Sequence, residues 1–344
     1  MRNKGICLWM ILILVMLSGC STNADPNTAK SKEEGQASET FDGEKLQIVT
    51  TIFPPYDFVR KVGGDKVEVT MLLKPGMESH SYEPTPKDII KITNSDLFLY
   101  AGGESDVWVE EILEGSDKEV NSHALLQWVE PLEEESAEGM QVKEHDHEHG
   151  HAHSEEEHDH AVHLDETEYD EHVWTSPKNA MVIVDEICEQ LSVLDRENAA
   201  YYRKNAAAYE EELKALDAAF ETVVSQAGRS TLIFGDRFPL LYFVKTYGLD
   251  YYAAFPGCSM ETEPSAATIA FLTDKVKEEK IPVIFYLEMS NGKIAEAIAE
   301  ATGAETAVFY SGHGITAEDL LAGEDYLSLM YRNVETLKNA LDSE

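Results

Sequence analysis

From residue 45 onward, short β-branched apolar runs alternate with stretches of helical spacing. Residues 47–53 (QIVTTIF) form a strand run ended by Pro54 and Pro55, and YDFVRKVGG behind it has helical spacing closed by Gly63 and Gly64. Residues 67–73 (VEVTMLL) predict a second strand, residues 86–95 (PKDIIKITNS) a short helix, residues 97–101 (LFLYA) a third strand, and DVWVEEILEG a third helix. A β-α-β-α-β order predicts a parallel sheet covered by helices.

From Pro177 the pattern turns helical, with Ser176 suited to the cap and Pro177 to the first helical position. MVIVDEICEQLSVL is amphipathic. Residues 198–226 contain neither Gly nor Pro and are rich in Ala, Glu, Lys and Leu. They predict one long helix of roughly 43 Å rather than two kinked ones. After Gly228 the alternation restarts, with strands at 231–235, 251–255, 282–288 and 306–310. Between and after them lie the helical segments FPLLYFVKTYG, IAFLTDKVKEEK, KIAEAIAEATG and DYLSLMYRNVETLKNAL. The fold class is therefore α/β, with two lobes joined by a long helix. Such lobes leave a cleft at the strand carboxyl ends, where ligands bind.

The first residues add a compartment. Arg2 and Lys4 precede an apolar run over 6–19, too short to span a bilayer and read as a signal-peptide core. Leu17-Ser18-Gly19-Cys20 resembles the bacterial lipobox, which makes Cys20 the expected lipidation site. Residues 20–43 are small and polar and read as a flexible tether. The expected location is the outer face of the cytoplasmic membrane, or the periplasmic space in a Gram-negative host. The expected division is signal 1–19, tether 20–43, N-terminal lobe 44–132, loop 133–168, a motif and helix over 169–196, linking helix 197–227 and C-terminal lobe 228–344. In the body only Cys188 and Cys258 remain. Cys188 sits in a helical pattern, so a buried free thiol is favoured over a disulfide. The absence of C-x-x-C gives no indication of a thiolate zinc site.

Charge then sharpens the picture. The chain carries 65 Asp and Glu against 27 Lys and Arg, a formal charge of −38. Nucleic acid and an anionic lipid surface are both repelled. Much of the acid is local, since residues 133–171 hold 16 Asp and Glu against one Lys. Interleaved with it are eight histidines: His145, His147, His149, His151, His153, His158, His160 and His163. This stretch has no core-forming pattern and reads as a disordered loop. Its imidazoles and carboxylates suit Zn, Cu or Ni as a weak, multi-mode secondary site.

Four histidines lie elsewhere. His80 follows a strand and the Lys74-Pro75-Gly76 turn, His172 precedes the helix entry at Pro177, and His313 follows the last strand within Ser311-Gly312-His313-Gly314. These three sit where they can converge on one cleft. His123 has no such context.

Three segments carry a family resemblance. LLKPGMESHSYEPTPKDI, DEHVWTSPKNA and DYLSLMYRNVETLKNAL resemble motifs of the metal-specific solute-binding proteins of ABC importers, zinc-type members in particular. The similarity covers about residues 45–344. It implies two Rossmann-like lobes joined by a rigid long helix, a metal between them, no catalysis, a monomer, and an ABC permease as partner. It implies Zn2+ as the transported ligand, with Mn2+ as the second metal to consider. By position it makes His80 and His172 ligands.

The chain then departs from the family pattern. The usual third histidine is replaced by Gly235-Asp236-Arg237, and the usual aspartate after the last strand by Ser311-Gly312-His313. His313 is taken to supply the missing imidazole. The fourth ligand is a carboxylate, Glu288 or Asp236, either of which has an alternative role in holding Arg237. Cys258 is a weaker candidate. Three imidazoles and one carboxylate suit tetrahedral Zn2+ over Mn2+. Ligation requires neutral imidazole, so affinity is expected to fall below about pH 6.5. The competing functions are Mn or Fe uptake in the same fold, a metal-binding surface adhesin, and a zinc hydrolase, for which HEXXH and HXXEH are both absent.

Overall fold

The computed structural model describes residues 45–77, 82–141, 168–259 and 263–342. Cys20, the tether, His80 and the eight-histidine stretch lie outside the described residues.

The N-terminal lobe carries strands β1 (Leu46–Thr50), β2 (Val67–Met71), β3 (Leu97–Tyr100) and β4 (Ser122–Ala124) in the order β2-β1-β3-β4, all parallel. Helices α1 (Phe53–Gly63), α2 (Pro86–Asn94) and α3 (Trp108–Glu114) make the crossovers. Pro54 and Pro55 fit the first turn of α1, where the missing N–H groups would have no helical partner. Gly64 ends α1 at φ 54°, a conformation that favours glycine. At α2, Thr85 and Asp88 form a reciprocal capping box.

Two helices then leave the sheet. These are α4 (Pro177–Leu194) and α5 (Ala199–Gln226), the latter 28 residues long, as the run free of Gly and Pro predicts. α5 buries Tyr202, Ala206, Tyr209, Leu213, Leu216 and Phe220, a single stripe at three- and four-residue spacing.

The second sheet contains β5 (Thr231–Phe238), β6 (Asp250–Pro256), β7 (Val283–Leu287) and β8 (Glu305–Phe309) in the parallel order β6-β5-β7-β8. Its helices are α6 (Leu241–Tyr247), α7 (Ala266–Glu279), α8 (Lys293–Thr302), α9 (Ala317–Ala322) and α10 (Tyr326–Leu341). A register shift between Phe234 and Arg237 in the β5–β6 pairing lies at Gly235-Asp236. A bulge of this kind re-aims side chains at the end of a strand. Gly235 also lets α8 approach, since a Cβ there would stand 2.6 Å from backbone atoms of Ala295.

One buried apolar cluster runs from Ile48 and Leu99 in the first sheet through α4, α5 and α10 to Phe234, Phe285 and Phe309 in the second. The two lobes therefore share one core. Cys188 and Cys258 are both buried free thiols, in keeping with the helical pattern around Cys188. Among the described residues, no helix is long and apolar enough to cross a membrane.

Candidate metal centre

The site grows from the segment just before α4. Asp170 Oδ1 accepts the backbone N–H of His172 at 2.7 Å and lies 3.1 Å from its Nδ1. Tyr242 holds this acid in place, its hydroxyl donating to the Asp170 carbonyl at 2.9 Å and accepting from the Leu132 N–H at 3.0 Å. The His172 carbonyl accepts the Thr175 hydroxyl at 2.8 Å. The fully buried ring is thus fixed from its backbone and from Nδ1. A proton on Nδ1, shared with Asp170, places the ligating lone pair on Nε2. Burial opposes a charge on this ring, but Asp170, Glu171 and Glu134 outweigh it and hold its pKa above 6.5. A proton and a metal ion therefore compete at the same imidazole.

His313 arrives from the other lobe. Glu288, just after β7, accepts the N–H of Ser311 at 2.9 Å, the Ser311 hydroxyl at 2.9 Å and the N–H of Gly312 at 3.1 Å. Ser311 Oγ in turn accepts the His313 N–H at 3.2 Å. Gly312 has φ 68°, a left-handed turn that suits glycine. The His313 carbonyl accepts from the Phe53 N–H at 3.4 Å, which ties this loop to the start of α1. The His172 and His313 ring centroids are 5.1 Å apart, with the Trp174 ring 5.5 Å from the first and 5.0 Å from the second. Trp174 Nε1 donates to the Ser311 carbonyl at 3.0 Å, so the tryptophan spaces the two histidines.

Between the lobes is a cavity of about 30 Å³ lined by His172, His313, Glu288, Arg237, Met77 and Met289, among others. That volume suits a single ion or water. Burial raises the Glu288 pKa, while its Ser311 and Gly312 donors pull it back. Asp236 does not line the cavity. Its oxygens accept the N–H groups of Arg237 at 2.8 Å and Leu287 at 3.0 Å, which pins β5 to β7. His123 lies on β4, its ring 5.6 Å from that of Trp128.

Two residues that sequence reasoning passed over or ranked low lie beside His172. Glu171 is fully buried and accepts the N–H and hydroxyl of Ser105. Cys258 is buried just beyond β6. Ligand atoms of Glu171, His172 and Cys258 all lie within 4.8 Å of one another. The sequence signal for Glu171 was its adjacency to His172. Cys258 stood only as a weaker candidate, because a lone cysteine has no spacing to read.

Residues 48–340 match the family model described as ZnuA, zinc-uptake complex component A, periplasmic. The chain is 36% identical over 307 residues to the zinc-binding lipoprotein AdcA of Streptococcus pneumoniae, a match covering 87% of this chain and 56% of AdcA. It therefore spans little more than half of that relative's length. It is 33% identical over 331 residues to the high-affinity zinc uptake system protein ZnuA of Bacillus subtilis, covering 95% and 94% of the two chains. The crystal structure of the Zn(II)-bound ZnuA-like domain of S. pneumoniae AdcA aligns with a TM-score of 0.70 at 32% identity, covering 87% of this chain and 100% of that domain.

Proposed function

The chain belongs to the zinc-uptake complex component A family, and from that premise we propose that it captures Zn2+ outside the cytoplasmic membrane and delivers it to an ABC permease. The observation that carries this is the pairing of two imidazoles, His172 and His313, from opposite lobes across a cavity of about 30 Å³. A space of that size, lined by imidazole and carboxylate, accommodates a single ion. His172 and His313 are the nitrogen ligands from the described residues, and His80 joins them from the first family motif. Of the two carboxylate candidates, Glu288 is favoured because it lines the cavity, while Asp236 does not and has one oxygen tying β5 to β7. Cys20 carries the lipid anchor, and the protein acts as a monomer.

Competition titration of the mature protein against a chromophoric chelator tests this. One tight Zn2+ site per chain is expected, with weaker equivalents from the histidine-rich stretch. His172→Ala and His313→Ala each abolish the tight site. Deleting residues 144–163 removes only the weak equivalents. Tighter binding of Mn2+ than Zn2+ overturns the zinc assignment, and loss of the tight site on loop deletion overturns the division of the histidines into two classes.

A further inference from the structure

The place of the family's third histidine, where a donor would stand beside His172, is occupied here by Gly235-Asp236-Arg237, and His313 reaches His172 from a different loop of the same lobe. The turn after the neighbouring strand β6 brings a different donor to the same imidazole. Gly257 lies against His172, where a Cβ would stand 3.4 Å from Cε1 and 3.1 Å from the Phe238 carbonyl oxygen. A side chain here would crowd the Phe238 carbonyl, which would have to give by a few tenths of an ångström. The turn is held by the Ser259 N–H donating to the Pro256 carbonyl at 3.3 Å and by the Cys258 N–H donating to Glu134 Oε1 at 3.3 Å. It presents Cys258 to Glu171 and His172, with the three ligand atoms inside 4.8 Å. All three residues are buried, and they come from both lobes.

The electrostatics of this pocket call for a cation. Besides Glu171, Glu134 accepts the Cys258 N–H at 3.3 Å and Asp170 lies 3.1 Å from His172 Nδ1. Glu171 also acts on buried Asp106. Anionic groups gathered out of water are costly unless a positive charge joins them. Arg237, on the wall of the neighbouring cavity, donates to the Ser259 carbonyl at 3.5 Å.

We propose that Cys258 Sγ and a Glu171 oxygen join His172 in holding the transported ion, so that a thiolate stands beside the imidazoles in the donor set. The proposal rests on the metal-capture function argued above. On binding, the Sγ–H bond breaks, the sulfur lone pair forms the bond to the divalent ion, and the proton leaves to solvent. A thiolate makes the donor set softer, which favours Zn2+ or Cd2+ and disfavours Mn2+. The absence of C-x-x-C argues only against a multi-thiolate site. One sulfur supplied across the cleft requires no such spacing.

Loading the full-length chain with Co2+ tests the donor set separately from binding. A near-ultraviolet thiolate-to-cobalt charge-transfer band is expected, lost in Cys258→Ser and retained in Cys188→Ser. Glu171→Gln is expected to keep the band and weaken affinity by about tenfold or more. Tight Co2+ binding without the band in the unsubstituted chain overturns the thiolate and leaves metal capture standing. A band that persists in Cys258→Ser also overturns the thiolate. Failure of the unsubstituted chain to bind either Zn2+ or Co2+ overturns metal capture and this inference with it. Should Cys258→Ser fail to fold, the unsubstituted chain and Cys188→Ser still decide between these results.

Discussion

Asp170 never needs to touch a metal ion to matter. It accepts from the backbone of His172 and sets its tautomer, and outer partners of this kind are worth about 10–100-fold in metal affinity. Asp170→Ala is expected to weaken Zn2+ binding by that factor in a chelator competition, with helix content by circular dichroism unchanged. Asp57 illustrates a different buried acid. Burial raises its pKa from 3.8 to about 6, with Lys61 as the main opposing influence, and it accepts the Tyr326 N–H at 3.2 Å. The folded state therefore binds this proton more tightly than the unfolded chain does. Its ionised form penalises folding above pH 6, and the penalty is relieved as pH falls through 6 toward 3.8. Two pKa units correspond to about 3 kcal/mol at most. Asp57→Asn is expected to reduce the stability difference between pH 7 and pH 5 by about 1–2 kcal/mol, measured by urea unfolding. At this scale the sequence placed His172 before a helix entry and His313 after the last strand as residues able to converge, and their rings lie 5.1 Å apart. It read Glu171 as one more acid in an acidic stretch and ranked Cys258 low for lack of a partner spacing, and the structure sets both beside His172.

The elements themselves were largely legible. Strands β1, β2, β3 and β5 to β8 are apolar runs bounded by Gly, Pro or polar turns, and α5 is long and free of breakers. Two elements were missed for definite reasons. β4 is three residues reading Ser-His-Ala, too short and polar to show a period, and it forms only because β3 offers its edge. α9 is six residues with none fully buried and Leu320 packed against the core, too short to show a helical period, and its start is marked by the Thr316 side chain accepting from the Asp319 N–H. Packing between elements is a further layer. Gly235→Ala would drive a Cβ into the backbone of α8, and overpacking of this kind costs about 1–3 kcal/mol. A lowered midpoint in thermal denaturation is expected. An unchanged midpoint would mean that α8 can move away freely.

The molecule as a whole behaves as two sheets around one core rather than as two independent domains. The apolar cluster is continuous across both lobes, so a single cooperative calorimetric transition is expected. Free Zn2+ at about 100 times its dissociation constant should shift that transition as a unit by about 2.7 kcal/mol. Two separate transitions, with only one responding to Zn2+, would contradict the shared core. A specific cross-link is the Tyr326 hydroxyl at the start of α10, which donates to the Trp174 carbonyl at 2.6 Å. Tyr326→Phe leaves that buried acceptor short of a donor and should cost about 1–3 kcal/mol, measured by denaturant titration.

The sequence by itself determined the α/β class, the two-lobe order with its long helix, the family motifs and the concentration of acid and histidine in one stretch. These are local properties, because a strand or helix writes its burial into the period of its own residues, and a motif is contiguous. Only the tertiary structure decided which donors meet. His313 comes within ring contact of His172 because Trp174 and the Glu288 carboxylate hold the Ser311-Gly312 loop against it. Cys258 comes within 4.8 Å of the same histidine's ligand atom because the turn after β6 packs against that ring at Gly257. Convergence of this kind is set by packing between segments far apart in the chain, and no periodicity along the chain records it.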